Sequence, residues 1–109
     1  MELRLPSYFA LASLIDGPLH GYAIVRRARE LSDGRVRLST GTLYALLERA
    51  IGEELVRAGE PYVQGGRQRR DYALTPAGRL ALEFEKGRTA SVAHERPAQL
   101  RSSARTAPA

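Results

Sequence analysis

The segment from Ser39 to Ile51 restricts the fold more than any other part of the chain. Ser39 precedes an apolar-periodic run, where its hydroxyl can accept from the first free N–H groups of a helix. Apolar side chains then recur at helical spacing along one stripe, at Leu43, Leu46, Leu47, Ala50 and Ile51. The sequence therefore predicts a capped amphipathic helix that turns this stripe towards a core.

The opposite side of this helix is unusually slim. It carries small, hydroxylated or aromatic residues where a dense Lys/Glu mixture is more common: Gly41, Thr42, Tyr44, Ala45, Glu48 and Arg49. A helix that lies in a DNA major groove needs such a face, with hydrogen-bonding groups on short stems. An ordinary surface helix with a capped start is an equally good interpretation of this segment alone.

Two helices are expected before this segment. Ser7 can cap the first, and the breaker cluster Asp16-Gly17-Pro18 ends it. The second begins near His20, best interpreted as a capping or packing residue, and runs to about Leu31, where Ser32-Asp33-Gly34 has turn chemistry. Its outward-facing arginines could touch DNA backbone or be merely solvated: Arg26, Arg27 and Arg29.

Extended segments are expected on both sides of the central helix. The alternation in Arg35-Val36-Arg37-Leu38 predicts a very short strand before it. After it, residues 55–63 and 69–75 predict two strands joined by a glycine-bearing tip at residues 64–68. Pro61 cannot donate to a ladder, so it should lie where its strand has no partner.

A last helix is expected to begin at Thr75-Pro76, a capping hydroxyl followed by a proline at the first helical position. Its apolar side chains lie along one side: Ala77, Leu80, Ala81 and Phe84. Pro97 ends any helix. Residues 97–109 are rich in Ser, Ala, Arg and Pro, so we expect them to be disordered.

This order of elements predicts the fold class α+β, mainly α, with the architecture of a winged helix-turn-helix. Residues 1–75 would form the DNA-binding domain, residues 76–96 a C-terminal dimerisation helix, and residues 97–109 a disordered tail. In this architecture the third helix enters the groove and the hairpin tip reaches the adjacent backbone. Other α+β domains can share the order, but few place so many arginines at a hairpin tip.

Composition narrows the function classes. The formal net charge of +5 favours acidic partners. The absence of cysteine excludes disulfides, thiolate catalysis and Cys-based zinc sites, and the two histidines are far apart with no carboxylate pattern nearby. We therefore expect no enzyme activity, metal or cofactor. With no apolar run of about 20 residues and no signal-peptide pattern, a cytoplasmic protein without membrane contact is expected.

The candidate DNA contacts fall into two groups. On the central helix they are Ser39, Thr40, Gly41, Thr42, Tyr44 and Arg49, and at the expected wing they are Arg67, Gln68, Arg69 and Arg70. Threonine hydroxyls can reach phosphates or base edges, and wing arginines can straddle the backbone or enter the minor groove. The alternatives are a core role for Tyr44 and a merely solvated loop for the arginines.

A dimer interface is expected at Leu80 and Phe84, with Tyr8 and Phe9 contributing from the first helix. A lone winged helix of this size leaves an apolar flank exposed, which pairing would cover. Packing of Leu80 and Phe84 against the first helix is the other interpretation, and the two are compatible.

Three blocks of the sequence, in order and at fitting distances, resemble the PadR family of transcriptional regulators. They are Leu19-His20-Gly21-Tyr22, residues 39–44 (Ser-Thr-Gly-Thr-Leu-Tyr) and residues 72–79 (Tyr-Ala-Leu-Thr-Pro-Ala-Gly-Arg). The resemblance covers roughly Leu11 to Glu85, and the chain length resembles the compact subgroup. It implies a homodimeric bacterial repressor that binds a pseudopalindromic operator and responds to phenolic or other small hydrophobic ligands lodged where the C-terminal helices cross.

The chain departs from the family pattern at a few positions. Ala23 stands where the family usually has an acidic residue, and Glu54 stands where a glycine usually closes the recognition helix. There is no tryptophan, so an indole-lined drug pocket does not carry over. The alternative function is a winged-helix module that meets an acidic protein surface and has no sequence-specific DNA binding.

Overall fold

The computed structural model describes residues 3–94, which form four helices and five short strands. In chain order they are α1 (Leu5–Ala12), β1 (Leu19–His20), α2 (Gly21–Leu31), α3 (Thr40–Gly52), β2 (Val56–Ala58), β3 (Tyr62–Gln64), β4 (Arg67–Arg69), β5 (Asp71–Leu74) and α4 (Pro76–His94). This is the predicted mainly helical α+β winged-helix architecture. The disorder expected for residues 97–109 lies outside the described residues.

The core lies between the helices and a small sheet. Leu14, Ile24 and Leu43 are its largest fully buried side chains, and they come from the segment after α1, from α2 and from α3. Leu43, Leu47 and Ala50 of the predicted stripe on α3 are buried, whereas Leu46 is half-buried and Ile51, at the end of the stripe, is exposed. The amphipathic pattern therefore identified correctly which side of α3 faces inwards.

Helix α1 begins earlier than the sequence predicts. Arg4 is its N-cap residue and makes no side-chain capping hydrogen bond, while Pro6 lies in the first turn. The prediction that Ser7 caps this helix was wrong, because Pro6 already has the fixed φ that suits a first turn and needs no N–H partner there. Helix α2 agrees with prediction, since His20 is its N-cap and Nδ1 accepts from the N–H of Ala23 at 3.2 Å.

Helices α2 and α3 end in the same way, with a left-handed residue just past the C-cap. Asp33 has a φ of 57° and Glu54 a φ of 63°. After α3 the N–H of Leu55 donates to the carbonyl of Ala50 at 2.8 Å, and that of Glu54 donates to Ile51 at 2.9 Å. This pattern is a Schellman motif, which usually has glycine at the left-handed position.

The strand expected at residues 35–38 is absent from the described sheets, although its burial alternates as predicted. The N–H of Val36 donates to Oγ of Ser32 at 2.8 Å, so it has no part in a ladder. Leu19–His20 occupies the edge position in its place, which gives a three-stranded antiparallel sheet in the order β1-β5-β2.

The two long strands expected for the wing are each broken into two. The N–H of Gly59 makes the last hydrogen bond between the β2 and β5 segments, to the carbonyl of Asp71 at 2.7 Å. Pro61 follows and has no N–H to donate. Pro61 was expected at such an unpartnered point. Beyond it β3 and β4 form a separate hairpin closed by Gly65 and Gly66, whose φ values of 59° and 77° suit a two-residue turn.

Two side chains join distant segments. Tyr62 connects the β3–β4 hairpin to β5, and Thr75 connects the start of α4 to the end of α3. The hydroxyl of Tyr62 donates to Oδ1 of Asp71 at 2.6 Å, and this hydrogen bond raises the pKa of Tyr62. Thr75 caps α4 as predicted, with Oγ1 accepting from the N–H of Gly78 at 3.0 Å and donating to the carbonyl of Glu54 at 2.6 Å. The wing and α4 therefore both depend on contacts with distant segments.

Candidate nucleic-acid interface

The start of α3 projects from the molecule. Oγ of Ser39 accepts from the N–H of Thr42 at 3.1 Å and donates to its Oγ1 at 3.0 Å, so Ser39 acts as the predicted cap. The first turn is exposed, and Gly41 has no atom near the position that a Cβ would occupy. At about 100° of rotation per residue, Gly41, Ala45 and Glu48 form the outer edge of α3, opposite its buried stripe.

The three side chains favoured for groove contact divide between the two flanks of that edge. Thr40 and Tyr44 lie on the flank that faces α2 and the wing. Thr42 lies on the other flank, which faces α1, together with Arg49. All four side chains are exposed, with Tyr44 at 47%. Tyr44 is therefore accessible from solvent while its ring flanks the core at Gly21.

Tyr44 is set against the first residue of α2. A Cβ at Gly21 would lie 2.7 Å from the Tyr44 hydroxyl and 3.3 Å from Cδ2 of Leu43, so only glycine allows the ring this close. Gly21 itself is buried. The His-Gly-Tyr block and the Gly-Thr-Leu-Tyr block thus meet in space, and the phenol of Tyr44 covers the start of α2.

An open cleft of about 690 Å³ separates α3 from the wing. We call it the wing cleft. Its lining comes from the start of α2, the first turns of α3 and the wing, and includes His20, Tyr22, Thr40, Tyr44, Arg67, Gln68, Arg69 and Arg70. The structure therefore brings the wing arginines and the α3 residues Thr40 and Tyr44 to one concave surface, although Arg67 and Gln68 lie in β4 and not at a loop tip.

Arg69 is held differently from its neighbours. Arg67 and Arg70 are exposed, whereas Arg69 is partly buried and its Nη1 lies 3.2 Å from Nδ1 and 3.4 Å from Nε2 of His20. Its Nε is buried and has no hydrogen-bond partner among the described residues. The three wing arginines are therefore not equivalent, and Arg69 links the wing to the start of α2.

A stack of rings continues from His20 along α2. The Tyr22 ring lies nearly parallel to the His20 ring at 6.5 Å between centroids, and the Arg26 guanidinium lies 5.9 Å from the centroid of Tyr22. The rings of His20 and Tyr22 thus line the wing cleft, with Arg69 beside His20 in the cleft and Arg26 beside Tyr22 outside its lining. A cation–π contact such as that of Arg26 with Tyr22 contributes about 0.5–1 kcal/mol at an exposed site.

The charge of the interface is largely uncompensated. Arg27 of α2 forms ion pairs with Asp16 and Glu30. The guanidinium groups of the wing and of α3 have no carboxylate partner within the described part of the chain. A surface of this kind attracts polyanions.

The residues predicted for dimerisation lie on α1 and α4. Leu80 and Phe84 are 70% and 59% exposed, so the interpretation that they pack in this chain's own core was wrong: Gly78, Leu82 and Glu85 form the inner side of α4. Tyr8 and Phe9 are half-buried against the core, and their rings meet edge to face at 5.2 Å.

Sequence reasoning left two features of this surface unrecognised. The contact between His20 and Arg69 spans 49 positions, and no local pattern predicts it. The proximity of Arg4 to α3 also depends on how α1 packs. The position of His20 just before a helix predicted a capping or packing role, but it carried no information about the contact with Arg69.

Among the side chains that the structure describes, those of residues 3–87, no group of His, Cys, Asp or Glu is arranged to hold a metal ion. Within residues 3–94 no helix has the length and apolar character needed to cross a membrane.

Comparison with known proteins places this geometry in a family. The sequence model of the transcriptional regulator PadR-like family matches residues 10–84. The transcriptional regulator Rv3488 of Mycobacterium tuberculosis is 39% identical over 80 residues, which is 73% of this chain and 71% of that protein. An uncharacterised 37.1 kDa protein in transposon TN4556 of Streptomyces fradiae is 48% identical over 75 residues, which is 69% of this chain but only 20% of that protein.

Solved structures have the same fold. A PadR family transcription regulator from Clostridium difficile R20291 superposes with a TM-score of 0.73 at 24% identity, covering 89% of this chain and 99% of that one. Bacillus subtilis PadR, in a crystal structure with operator DNA, gives a TM-score of 0.65 at 24% identity and covers 74% of this chain and 47% of that one.

Proposed function

Because the chain belongs to the PadR-like family of transcriptional regulators, we propose that it represses transcription by binding a pseudopalindromic DNA operator as a homodimer. The observation that carries this proposal is the exposed first half of α3, with a slim outer edge and an arginine-bearing wing beside it. Family members are regulators and not enzymes, and the Bacillus subtilis structure with operator DNA supports duplex DNA as the partner.

The DNA-binding domain in this proposal is residues 1–75. The first turns of α3 lie in the major groove, where Thr40, Thr42 and Tyr44 reach phosphate oxygens or base edges and Gly41 allows close approach. The wing follows the flanking backbone through Arg67, Gln68 and Arg70, while Arg69 belongs to the same surface but is engaged by His20. Ser39 and Arg49 complete the surface at the cap and on the far flank of α3.

Dimerisation is assigned to the helix at residues 76–96. Ala77, Leu80 and Phe84 follow one another at spacings of three and four on the outer side of α4, the spacing of a helix-pairing stripe. Tyr8 and Phe9 support this flank from α1. Two-fold pairing would place operator half-sites about 34 Å apart.

Dimerisation can be tested by sedimentation equilibrium of wild type, Phe84→Glu and Val63→Glu. Both substitutions place a charge on an exposed apolar position, but Val63 lies in the wing. The wild type and V63E should be dimeric and F84E monomeric. A monomeric wild type, or a dimeric F84E, would contradict the assignment.

Release from DNA by a small hydrophobic or phenolic ligand is the remaining part of the proposal. Its support is the pair Leu80 and Phe84, an apolar surface that pairing would turn into the wall of a shared site. Titration of the protein–operator complex with phenolic compounds, followed by fluorescence anisotropy, tests it. Release by a phenol in the wild type, and its loss in Phe84→Ala when dimerisation is retained, is the expected result.

The decisive experiment for DNA binding is a competition gel shift with the DNA upstream of the protein's own gene. A regulator should retain this fragment against a large excess of bulk DNA. It should also lose about 10³-fold in affinity between 50 and 200 mM salt if a dimer neutralises about six phosphates. Equal competition by bulk DNA together with a flat salt response would favour the alternative, a module that meets an acidic protein surface.

A further inference from the structure

A second cleft lies on the far side of α3 from the wing, between that helix and the start of α1. Its volume is about 350 Å³, and its lining is Arg4, Pro6, Ser7, Thr42, Ala45, Leu46 and Arg49. We call it the α1 cleft. Neither the sequence patterns nor the family resemblance pointed to Arg4 or Ser7 as parts of a binding surface.

The two clefts are on opposite flanks of the same helix. The wing cleft takes Thr40, Leu43 and Tyr44 from α3, whereas the α1 cleft takes Thr42, Ala45, Leu46 and Arg49. At about 100° per residue, the centres of these two sets are roughly half a turn apart. The outer edge of α3 therefore separates two concave surfaces, and each of them carries arginines.

The α1 cleft has the chemistry of an anion site. Arg4 and Arg49 are both exposed, and neither forms an ion pair with any described carboxylate, including those of Glu48 on α3 and Glu53 at its C-cap. Thr42 and Ser7 add hydroxyl groups between them. Arginine offers a planar fork of donors that matches phosphate oxygens.

We propose that the α1 cleft binds the phosphodiester backbone of the DNA strand opposite the one that the wing contacts, with Arg4 and Arg49 as its phosphate ligands. The inference rests on the proposed function and extends it to a new contact site. The major groove is about 12 Å wide and is bounded by one phosphate strand on each side, so a helix inside it has a backbone on both flanks. The wing serves one flank and the α1 cleft the other.

Arg4 allows a clean test because it is not needed for the fold. It is the N-cap residue of α1, yet its side chain makes no capping hydrogen bond. Arg4→Gln removes the charge and keeps most of the length. Arg57→Gln is the matched control, since Arg57 is also an exposed arginine but lies in β2 and lines neither cleft.

The first readout is the salt dependence of operator affinity. For a dimer, R4Q removes two phosphate contacts, so the slope of log K against log[salt] should decrease in magnitude by about 2. The loss of affinity between 50 and 200 mM salt then becomes about tenfold smaller than in the wild type. R57Q should keep the wild-type slope. An R4Q slope equal to that of R57Q would overturn the inference.

The second readout is positional. Ethylation interference identifies phosphates whose modification blocks binding, and those that cease to matter in R4Q should lie on the strand opposite those that cease to matter in Arg67→Gln. Loss on the same strand as R67Q would overturn the inference while leaving the proposed function intact. A wild-type protein that selects no DNA would overturn both.

Discussion

Arg69 of the wing rests against His20 at the start of α2, with Nη1 3.2 Å from the imidazole Nδ1. The two residues are 49 positions apart, and the same Nδ1 accepts from the N–H of Ala23. The β3–β4 hairpin is a separate two-stranded sheet, so side chains such as this one fix its orientation to the rest of the domain. Both residues line the wing cleft.

The first prediction separates positioning from phosphate contact. His20→Asn keeps a favourable cap for α2 but removes the ring that Arg69 touches. We expect H20N and Arg69→Gln to lower operator affinity with an unchanged salt slope, because the hairpin loses its orientation and no exposed phosphate contact is removed. Arg67→Gln should lower both the operator affinity and the magnitude of the salt slope. Anisotropy titrations at several salt concentrations measure this, and a reduced slope in R69Q would show that Arg69 itself neutralises phosphate.

The second prediction concerns the outer edge of α3. Gly41 has open space around it, so Gly41→Ala should fold with equal or higher stability, since alanine favours a helix. The added methyl group stands where the DNA is proposed to approach, and we expect at least tenfold weaker operator binding, which corresponds to about 1.4 kcal/mol of binding free energy. Gly52→Ala is the control. Gly52 is equally open but lies about 16 Å further along the helix, so its binding should be unchanged.

The third prediction concerns the packing of α4. A Cβ at Gly78 would collide with the carbonyl oxygen of Leu55, which is backbone and cannot turn away. Gly78→Ala should therefore destabilise the domain by about 3 kcal/mol. Gly87→Ala, in an open part of the same helix, should stabilise it by about 0.5–1 kcal/mol. Urea unfolding followed by circular dichroism measures both, and equal effects would contradict the close approach of α4 to Leu55.

The fourth prediction concerns the end of α3. Glu54 has a φ of 63°, a conformation that glycine adopts without strain. Glu54→Gly should raise the free energy of unfolding by about 0.5–1 kcal/mol, the relief of left-handed strain less the entropy of glycine. Glu54→Ala removes the same carboxylate but keeps a Cβ, and it should give no gain. If E54A stabilises as much as E54G, the effect is one of charge.

The fifth prediction concerns pH. Burial raises the pKa of Tyr72, and the nearby Tyr44 adds to the shift. The folded protein therefore keeps this proton at pH values where the unfolded chain, with a phenol pKa of about 10, has lost it. The contribution to stability is complete below about pH 10 and is lost as the pH rises through the folded-state pKa. In urea unfolding, the free energy of unfolding should decline above that pH, and the decline should be smaller in Tyr72→Phe. An identical decline in both proteins would contradict the raised pKa.

Local sequence patterns were enough to predict the four helices and the residues that cap three of them, His20, Ser39 and Thr75. Local signals were sufficient where the competing forces are local. The hydroxyl of Thr75 before Pro76 began α4 as expected, and the apolar spacing in α3 predicted its buried side. The resemblance to PadR regulators also depended on short blocks that are read directly from the chain, and the family match confirms it.

The three-stranded sheet and the start of α1 show where local patterns were insufficient. Alternation predicted a strand at residues 35–38, but the N–H of Val36 donates to Ser32 and β1 takes the edge of the sheet. Which segment pairs with β5 depends on how α2 and α3 pack, and period-two alternation cannot report that. Ser7 failed as a cap for a related reason, because the first turn is set by Pro6 and by the position of α1 on the core.

The chemical environment of each arginine was decided by tertiary structure alone. In the sequence Arg67, Arg69 and Arg70 are three similar cations, yet only Arg69 meets His20, and Arg4 comes to lie beside Arg49 of α3. Residue type and spacing fix the charge that a segment carries and the helix or strand that it forms. Which distant group that charge meets is set by the packing of helices against the sheet, since such contacts join parts of the chain with no local relation.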